Sequence, residues 1–242
     1  MLRPLAAAVL FLTRIPLPAL TLDEHDMARS AGYFAWVGGL LALCLWGCSF
    51  VTPWVGPRLG ALLVVTLWVL LTGGLHLDGL ADSVDGLSGG RGERARTLSI
   101  MRDSRIGSHG ALALVLLVLL KAAALERALS LRTIAWLIAP VAARFACTLL
   151  MALFPYARQQ GLGAPFVDRV RWPSLAIGML AVSLAGFCLG PLSVLLAALA
   201  IAAALLLGLR LHKLLGGLTG DVYGAAIELA ELAALLAASV AR

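Results

Sequence analysis

Three aspartates stand at helical spacing near the middle of the chain. Asp78, Asp82 and Asp85 occur in the run HLDGLADSVDG, at positions i, i+4 and i+7. If the run is helical, their carboxylates fall within a sector of about 60° on one face. Neighbouring carboxylates repel unless a cation lies between them, and hard oxygen ligands suit Mg²⁺, Mn²⁺ or Ca²⁺. A solvated acidic face is the alternative, but such faces usually carry Lys at i±4, and this one carries none. The spacing therefore predicts a metal site.

Arginines follow these aspartates in the sequence. Arg102 and Arg105 flank Asp103 in the run IMRDSRIGSHG, just before the chain becomes apolar again. Arginine recognises phosphate through forked hydrogen bonds. Carboxylates with a divalent cation, joined by clustered arginines, are the recurring parts of phosphoryl or phosphodiester transfer. We therefore predict that Arg102 and Arg105 bind a substrate phosphate.

A third polar group lies near the end of the chain, in the run GGLTGDVYGAAIELAEL. Asp221 and Glu228 are at i and i+7, and so lie on one helical face. A carboxylate inside a membrane is functional by default. The alternative is that Glu228 and Glu231 pair with a buried basic residue, for which Arg144, in the middle of an apolar run, is the candidate. The glycines of this run would allow close contact with another helix.

The composition indicates that these polar residues belong to a membrane protein. Of the 242 residues, 61% are hydrophobic and 13% charged, and the mean hydropathy is +0.97. Soluble domains are near 45–50% apolar and roughly 25% charged. These values exclude intrinsic disorder and an ordinary soluble enzyme. Because a membrane-spanning helix needs about 20 residues, the chain has room for six or seven spans and no separate soluble domain. We expect an all-α, polytopic integral membrane protein whose single catalytic domain covers residues 1–242.

Apolar runs predict the individual helices. A short N-terminal run, residues 5–12, is interpreted as a retained half-helix or an interfacial segment, not a cleaved signal peptide. A polar insert, residues 78–109, and a polar loop, residues 155–173, interrupt the apolar runs. The predicted spans are residues 31–51, 60–77, 110–125, 133–154, 174–189 and 192–209. A last apolar helix is predicted at 225–240, and the sequence does not decide whether it crosses the bilayer.

Positive charges predict the orientation. With the N-terminus inside, 13 Lys and Arg fall in the inside segments and 3 in the outside turns. By the positive-inside rule, the insert and the other loops that carry candidate site residues then face the cytoplasm. The formal net charge of +6 is thus explained by an excess of Lys and Arg in loops that set the orientation. No Lys/Arg run with interleaved aromatic residues indicates nucleic-acid binding, so the lipid bilayer is the expected macromolecular partner, and a homo-oligomer stays open.

Long motifs, in the same order, resemble those of the cobalamin synthase family, the adenosylcobinamide-GDP ribazoletransferases. The resemblance implies a Mg²⁺-requiring enzyme of coenzyme B12 synthesis in the bacterial inner membrane. It implies that adenosylcobinamide-GDP is joined to α-ribazole or its 5′-phosphate, which releases GMP and gives adenosylcobalamin or its 5′-phosphate. The runs that carry it are FLTRIPLP, LTGGLHLDGLADSVDGL, IMRDSRIGSHGALAL and LGGLTGDVYGAAIELAEL.

The resemblance assigns roles by position. The acidic motif of the family falls on Asp78, Asp82 and Asp85, its RDSR-x-G segment on residues 102–107, and its late segment on residues 219–228. Ser99 stands where the family commonly has an acidic residue, so it is not a candidate ligand. The predicted set is Asp82, Asp85, Asp103 and Asp221 as catalytic residues; Arg102, Arg105, Ser104, His109, Arg144 and Thr219 as substrate-binding residues; and Asp78, Asp82, Asp85 and Glu228 as metal ligands.

Parts of the sequence also fit other functions. The stretch from Asp82 to Gly86 resembles the first part of the motif of CDP-alcohol phosphotransferases, although the rest of that motif is not reproduced. A transporter would use Glu228, Glu231 and Arg144 as an ion path, but it does not explain the insert rich in Arg and Asp. A membrane scaffold would tolerate Asn at the acidic positions.

Overall fold

The computed structural model describes residues 2–18, 20–158, 161, 166 and 169–241. Within that part of the chain the structure is helical, and its β feature is an isolated bridge between Tyr156 and Leu218. Single 3₁₀ turns occupy Ala31–Tyr33 and Ala135–Leu137. The all-α prediction is confirmed. The helices are α1 Leu2–Leu12, α2 Glu24–Ser30, α3 Phe34–Ser49, α4 Thr52–Thr72, α5 Leu75–Gly90, α6 Arg94–Ile100, α7 Ser108–Ser130, α8 Ile138–Leu153, α9 Trp172–Leu189, α10 Pro191–Leu215 and α11 Gly220–Val240.

Six helical segments of the described residues are long and apolar enough to cross a membrane. This agrees with the predicted number of spans, and it includes the last apolar helix. By contrast, α1 has 11 residues, too few to cross, and its Ala7, Ala8 and Leu12 are buried against the bundle. The six segments are Glu24–Ser49, Thr52–Thr72, Ala135–Leu153, Trp172–Leu189, Pro191–Leu215 and Gly220–Val240.

Helix α7 also runs from one end of the bundle to the other. It has 23 residues, and its C-terminal turn lies beside the turn between α3 and α4. Residues of both turns, among them Phe50, Pro53, Arg132 and Ile134, line one cavity of about 730 Å³. The end of α4 lies beside the middle of α7, since Val69 and Thr72 line one small cavity with Val118 and Lys121. The start of α7 therefore lies beyond the end of α4.

Several predicted boundaries are corrected. The second predicted span continued to residue 77, but α4 ends at Thr72 because Gly73 and Gly74 both adopt left-handed backbone conformations. The insert expected at 78–109 is mostly helical, since it contains most of α5 and all of α6. Helix α11 begins at Gly220, five residues before the prediction. In the polar loop 155–173, residues 159–160, 162–165 and 167–168 lie outside the described residues.

Burial separates the central helices from the peripheral ones. In the most apolar stretches of α8 and α11, 78% and 72% of the residues are buried, compared with 17% in α9. Large apolar side chains on the outside of the bundle, such as Phe187 and Leu180, are exposed. In a bilayer these side chains would contact lipid, so α8 and α11 form the centre around which the other helices pack.

Helices α3 and α8 approach so closely that one position has no room for a side chain. A Cβ atom at Gly38 would collide with the carbonyl oxygen of Pro140, whereas one at Gly39 would have no neighbour within 4 Å. Small residues allow such close approach of helices in membranes.

We expect Gly38→Ala to lower the free energy of unfolding by about 1–3 kcal/mol, because overpacking forces the backbones apart. Gly39→Ala is the matched control and should leave stability unchanged or slightly raised, since alanine favours the helix over glycine. The measurement is thermal unfolding of the purified protein in detergent. Equal stability of the two variants would contradict the packing argument.

Candidate active site

Helix α5 presents the three aspartates on one face, as predicted. It begins directly after Gly73 and Gly74, at the end of the bundle. Asp78 is exposed, while Asp82 and Asp85 are half-buried. The acidic residues of the insert are therefore held by a helix whose position is fixed by the break after α4.

Glycines bring α5 against α11. A Cβ atom at Gly79 would lie 2.8 Å from the backbone oxygen of Asp221, and one at Gly224 would lie 3.2 Å from the backbone oxygen of His76. The expected role of the late glycines in close helix contact is confirmed at Gly224. This contact places Asp221, in the first turn of α11, beside the acidic face of α5.

The crowding of carboxylates changes the acidity of Asp82. Partial burial, followed by the negative charges of Asp78 and Asp221, raises the pKa of Asp82 to about 6 from an ordinary value of 3.8, against the opposing positive charge of Arg158. Negative charge is thus concentrated where α5 meets the first turn of α11. Asp82 carries a proton for part of the time near neutral pH.

Asp85 has a structural task that the sequence did not reveal. Its Oδ2 accepts a hydrogen bond from the Gly107 N–H at 2.7 Å, and its Oδ1 accepts one from the Gly110 N–H at 2.8 Å. A Cβ at either glycine would collide with this carboxylate. Asp85 was predicted as a catalytic residue and a metal ligand, and this role stays a prediction. In the structure, both of its oxygens hold the start of α7 against α5.

The RDSR segment forms an exposed loop between α6 and α7. The Arg105 guanidinium donates to Asp103, with Nε 3.0 Å from Oδ1 and Nη2 2.6 Å from Oδ2. These hydrogen bonds lower the pKa of Asp103 to about 2, so this carboxylate is a weak base. Arg102, Ser104 and His109 are exposed at the same end of the bundle. Among the described residues, no salt bridge holds Arg102.

Thr219 and Asp221 have different surroundings, although they are two residues apart. Thr219 is fully buried, and its hydroxyl accepts the Val222 N–H at 3.3 Å, so it caps α11. The prediction that Thr219 binds substrate is therefore not supported by its position. Asp221 is half-buried and forms an ion pair with Arg158, whose Nη2 lies 2.8 Å from its Oδ2. Arg158 was not among the predicted site residues.

A small cavity connects the acidic residues to the apolar interior. It has a volume of about 70 Å³, and Asp78 and Asp221 both contribute to its wall. Apolar positions of this kind carry no sequence signal that separates them from ordinary core residues. The rest of the wall includes Phe11, Leu12, Phe34, Leu75, His76, Met151, Tyr223 and Ile227.

A separate cluster of charges is buried within the bundle. Lys121 of α7 pairs with both Glu228 and Glu231 of α11, and Arg144 of α8 pairs with Glu231. All four side chains are nearly or fully inaccessible. His76 extends the cluster to α5, since its Nδ1 lies 3.5 Å from the Arg144 Nη2. Two cations thus face two carboxylates, and the charges of this cluster balance.

Two predicted site residues, Arg144 and Glu228, lie in this cluster and away from the aspartates of α5. Arg144 was predicted to bind substrate, but it is fully buried against Glu231. Glu228 was predicted as a metal ligand, but it faces Lys121 and not the aspartates of α5. The alternative of carboxylates paired with a buried base is confirmed for Glu231 and Arg144. Lys121 was missed, although a lone Lys in an apolar run is itself a signal of a buried partner.

The residues at the acidic end suit a divalent cation that substrate helps to bind. No group of three or more His, Cys, Asp or Glu side chains among the described residues is close enough to hold a metal alone. Mg²⁺ usually binds one or two carboxylates and completes its shell with water and substrate phosphates. Asp78 and Asp221 line one cavity, and their charges raise the pKa of Asp82. This donor set therefore fits Mg²⁺ shared with a phosphate.

The fold and the site define a class: a polytopic helical membrane protein that gathers carboxylates and arginines at one end of its bundle. The family model of cobalamin-5-phosphate synthase matches residues 4–239. The chain belongs to this family. The resemblance seen in the sequence is confirmed, and so is a transferase function in cobalamin synthesis.

Curated relatives cover nearly the whole chain. A Desulfitobacterium hafniense protein named adenosylcobinamide-GDP ribazoletransferase is 40% identical over 249 residues, which span 98% of this chain and 96% of that protein. Proteins of the same name from Citrobacter koseri and Escherichia coli K12 are each 41% identical over 242 residues, which span 96% of this chain and 97% of the relative. No solved structure matches the chain. Membership in this family favours neither a CDP-alcohol phosphotransferase nor a transporter.

We expect Glu231→Gln to lower the free energy of unfolding by about 3–5 kcal/mol, because it leaves Lys121 and Arg144 facing a single buried carboxylate. Glu126→Gln, at a half-buried glutamate of α7, is the control and should change stability little. Thermal unfolding in detergent measures both. A Glu231→Gln variant as stable as the control would show that the cluster is not held together by its charges.

Proposed function

We propose that this chain joins adenosylcobinamide-GDP to α-ribazole or its 5′-phosphate and releases GMP. The observation that carries the proposal is the meeting of Asp78, Asp82 and Asp221 at one end of the bundle. Relatives that match nearly the full chain are named adenosylcobinamide-GDP ribazoletransferase. Transfer of a substituted phosphate needs cations beside the leaving group, and carboxylates are what hold such cations in proteins.

Mg²⁺ is the proposed cofactor, with Asp78 and Asp221 as the residues that would hold it. When bound, it would neutralise charge on the pyrophosphate of the donor and on the departing GMP. Arg102 and Arg105 are proposed to attract the same phosphates, since both side chains are exposed at this end of the bundle. Arg102 can hold a phosphate through forked hydrogen bonds, whereas Arg105 already donates its Nε and Nη2 to Asp103.

Asp82 is the proposed acceptor of the proton from the attacking ribose hydroxyl. A general base works best when its pKa lies near the working pH. The pKa of Asp82, raised to about 6 by burial and by its acidic neighbours, meets this condition better than the pKa of Asp103, which Arg105 lowers to about 2. Asp103 is then better suited to orienting Arg105 than to accepting a proton.

The acidic end is proposed to lie on the cytoplasmic side of a bacterial inner membrane. The distribution of 13 Lys and Arg on this side against 3 on the other supports this orientation. Nucleotide-activated donors are made in the cytoplasm, so the site would open toward its substrate.

The test is an assay of purified protein with adenosylcobinamide-GDP, α-ribazole and Mg²⁺, in which GMP and the corrinoid product are followed. We expect Asp82→Asn to lower turnover by about 10²- to 10⁴-fold, and chelation of Mg²⁺ to abolish it. Glu93→Gln, an exposed carboxylate of the same insert, is the control and should retain activity. Near-normal turnover by a folded Asp82→Asn variant would exclude the proposed role, and wild-type protein that releases no GMP would exclude the proposed function.

The pH profile gives an independent test of Asp82. Since its carboxylate must be ionised to accept a proton, activity should be lost as the pH falls through about 6 at low Mg²⁺. Higher Mg²⁺ should move this limb to lower pH, because a nearby cation favours the ionised form. Measurement of kcat/KM between pH 5 and 8 at two Mg²⁺ concentrations checks both effects. A profile flat across this range would contradict the assignment.

A further inference from the structure

Arg158 is fixed beside the acidic end by backbone hydrogen bonds. The Ala157 N–H donates to the Leu218 carbonyl oxygen at 2.8 Å, and the Leu218 N–H donates to the Pro155 carbonyl oxygen at 2.8 Å. These bonds join the segment after α8 to the segment before α11. They hold the backbone before Arg158 in place without any contribution from its side chain.

The Arg158 side chain points into the bundle and not toward solvent. It is 9% exposed, and its Nη2 lies 2.8 Å from the Asp221 Oδ2. Its positive charge also reaches Asp82, where it opposes the rise in the pKa of that carboxyl. A buried guanidinium therefore sits among the carboxylates that the proposed function assigns to the metal and the proton.

The ion pair with Asp221 leaves much of this guanidinium unsatisfied. The Nε and Nη2 of Arg158 are buried, but neither forms a hydrogen bond of acceptable geometry within the described residues. The ion pair with Asp221 reaches this guanidinium through Nη2 alone, at 2.8 Å, and leaves the buried Nε without an acceptor. Burying charged donors without acceptors is unfavourable, so this arrangement suits a ligand that brings its own acceptor oxygens.

We infer that Arg158 binds a phosphate of the GDP-activated donor, and that Asp221 is its partner only until the donor arrives. A planar guanidinium with parallel N–H groups matches the oxygens of a phosphate, to which it can donate two hydrogen bonds. Transfer of Arg158 to the phosphate would free the Asp221 carboxylate to bind Mg²⁺. This inference rests on the proposed function and adds to it a specific phosphate ligand, with donor and metal binding coupled through one exchange of partners.

The first experiment measures binding of GDP, in the presence of Mg²⁺, to the full-length protein in detergent. We expect Arg158→Ala to weaken GDP binding by about 10- to 100-fold, as for loss of hydrogen bonds to a charged group. The GDP affinity of Arg158→Lys should lie between those of wild type and Arg158→Ala, because lysine keeps the positive charge but cannot donate two parallel hydrogen bonds. Arg169→Ala is the matched control, because Arg169 lies on the same connecting segment but is half-exposed and 3.9 Å from Glu24. Binding by Arg158→Ala within twofold of wild type, or no GDP binding by wild type, would overturn the inference.

A second comparison separates ligand binding from charge balance. If Arg158 only neutralises Asp221, then Asp221→Asn should restore GDP binding to the Arg158→Ala variant. If Arg158 binds the phosphate itself, the double variant should stay as weak as Arg158→Ala. Thermal unfolding of each variant confirms that it is folded. Restoration by Asp221→Asn would overturn the inference.

The two proposals fail in distinguishable ways. Wild-type protein that binds GDP through Arg158 but forms no product from α-ribazole would remove the proposed function and leave the phosphate site in place. The opposite result is an active wild-type protein and an Arg158→Ala variant whose KM for the donor and GDP affinity are unchanged. That result would exclude the role of Arg158 and leave the proposed transferase function in place.

Discussion

The site depends on the close approach of α5 and α11, which Gly79 and Gly224 make possible. Their backbones meet where any larger residue would hold them apart. The contact joins two polar motifs that are about 140 residues apart in the sequence. It also forces Asp78 and Asp82 toward Asp221, although carboxylates repel. Burial, together with this repulsion, raises the pKa of Asp82. A cation and a phosphate that bind there would relieve this repulsion, so binding of either should favour the other.

The buried charges of a second cluster hold helices together instead of forming the site. This cluster consists of Lys121, Glu228, Glu231 and Arg144. They connect α7, α8 and α11 where all four side chains are buried, and an unpaired charge there is costly. Since both carboxylates of this cluster already face a cation, the cluster fixes how the three helices align along their axes. Its contact with His76 carries the alignment on to α5. The polar groups of this protein thus fall into two sets, one that fixes the helices and one that is held by them.

The sequence predicted those features that depend on one helix at a time. Spacing placed the aspartates of α5 on one face, and hydropathy gave the spans. The end of α4 was missed because the apolar run continues past it, although Gly73 and Gly74 are the usual sign of a helix end. Contacts between side chains or backbone groups of different helices could not be predicted in this way. The partners of Asp85 are backbone N–H groups of another segment, and the pairing of Glu228 with Lys121 requires the alignment of α7 with α11. Arg158 lies in a connecting segment, where no periodicity indicates which way a side chain points.

The arginines of the acidic end differ in their exposure to solvent, and this difference gives them different roles in binding an anionic donor. Arg102 and Arg105 are exposed, so water and salt screen their charges, and Arg105 is further occupied by Asp103. Such groups raise the local concentration of an anionic donor more than they fix its position. Arg158 is buried among carboxylates, where the effective dielectric constant is lower and each hydrogen bond counts for more. A phosphate that replaces Asp221 there would be fixed to within a hydrogen-bond length of the acidic face. Because in-line displacement demands that the attacking oxygen, the phosphorus and the leaving oxygen align, the buried arginine is the one whose position the chemistry would depend on.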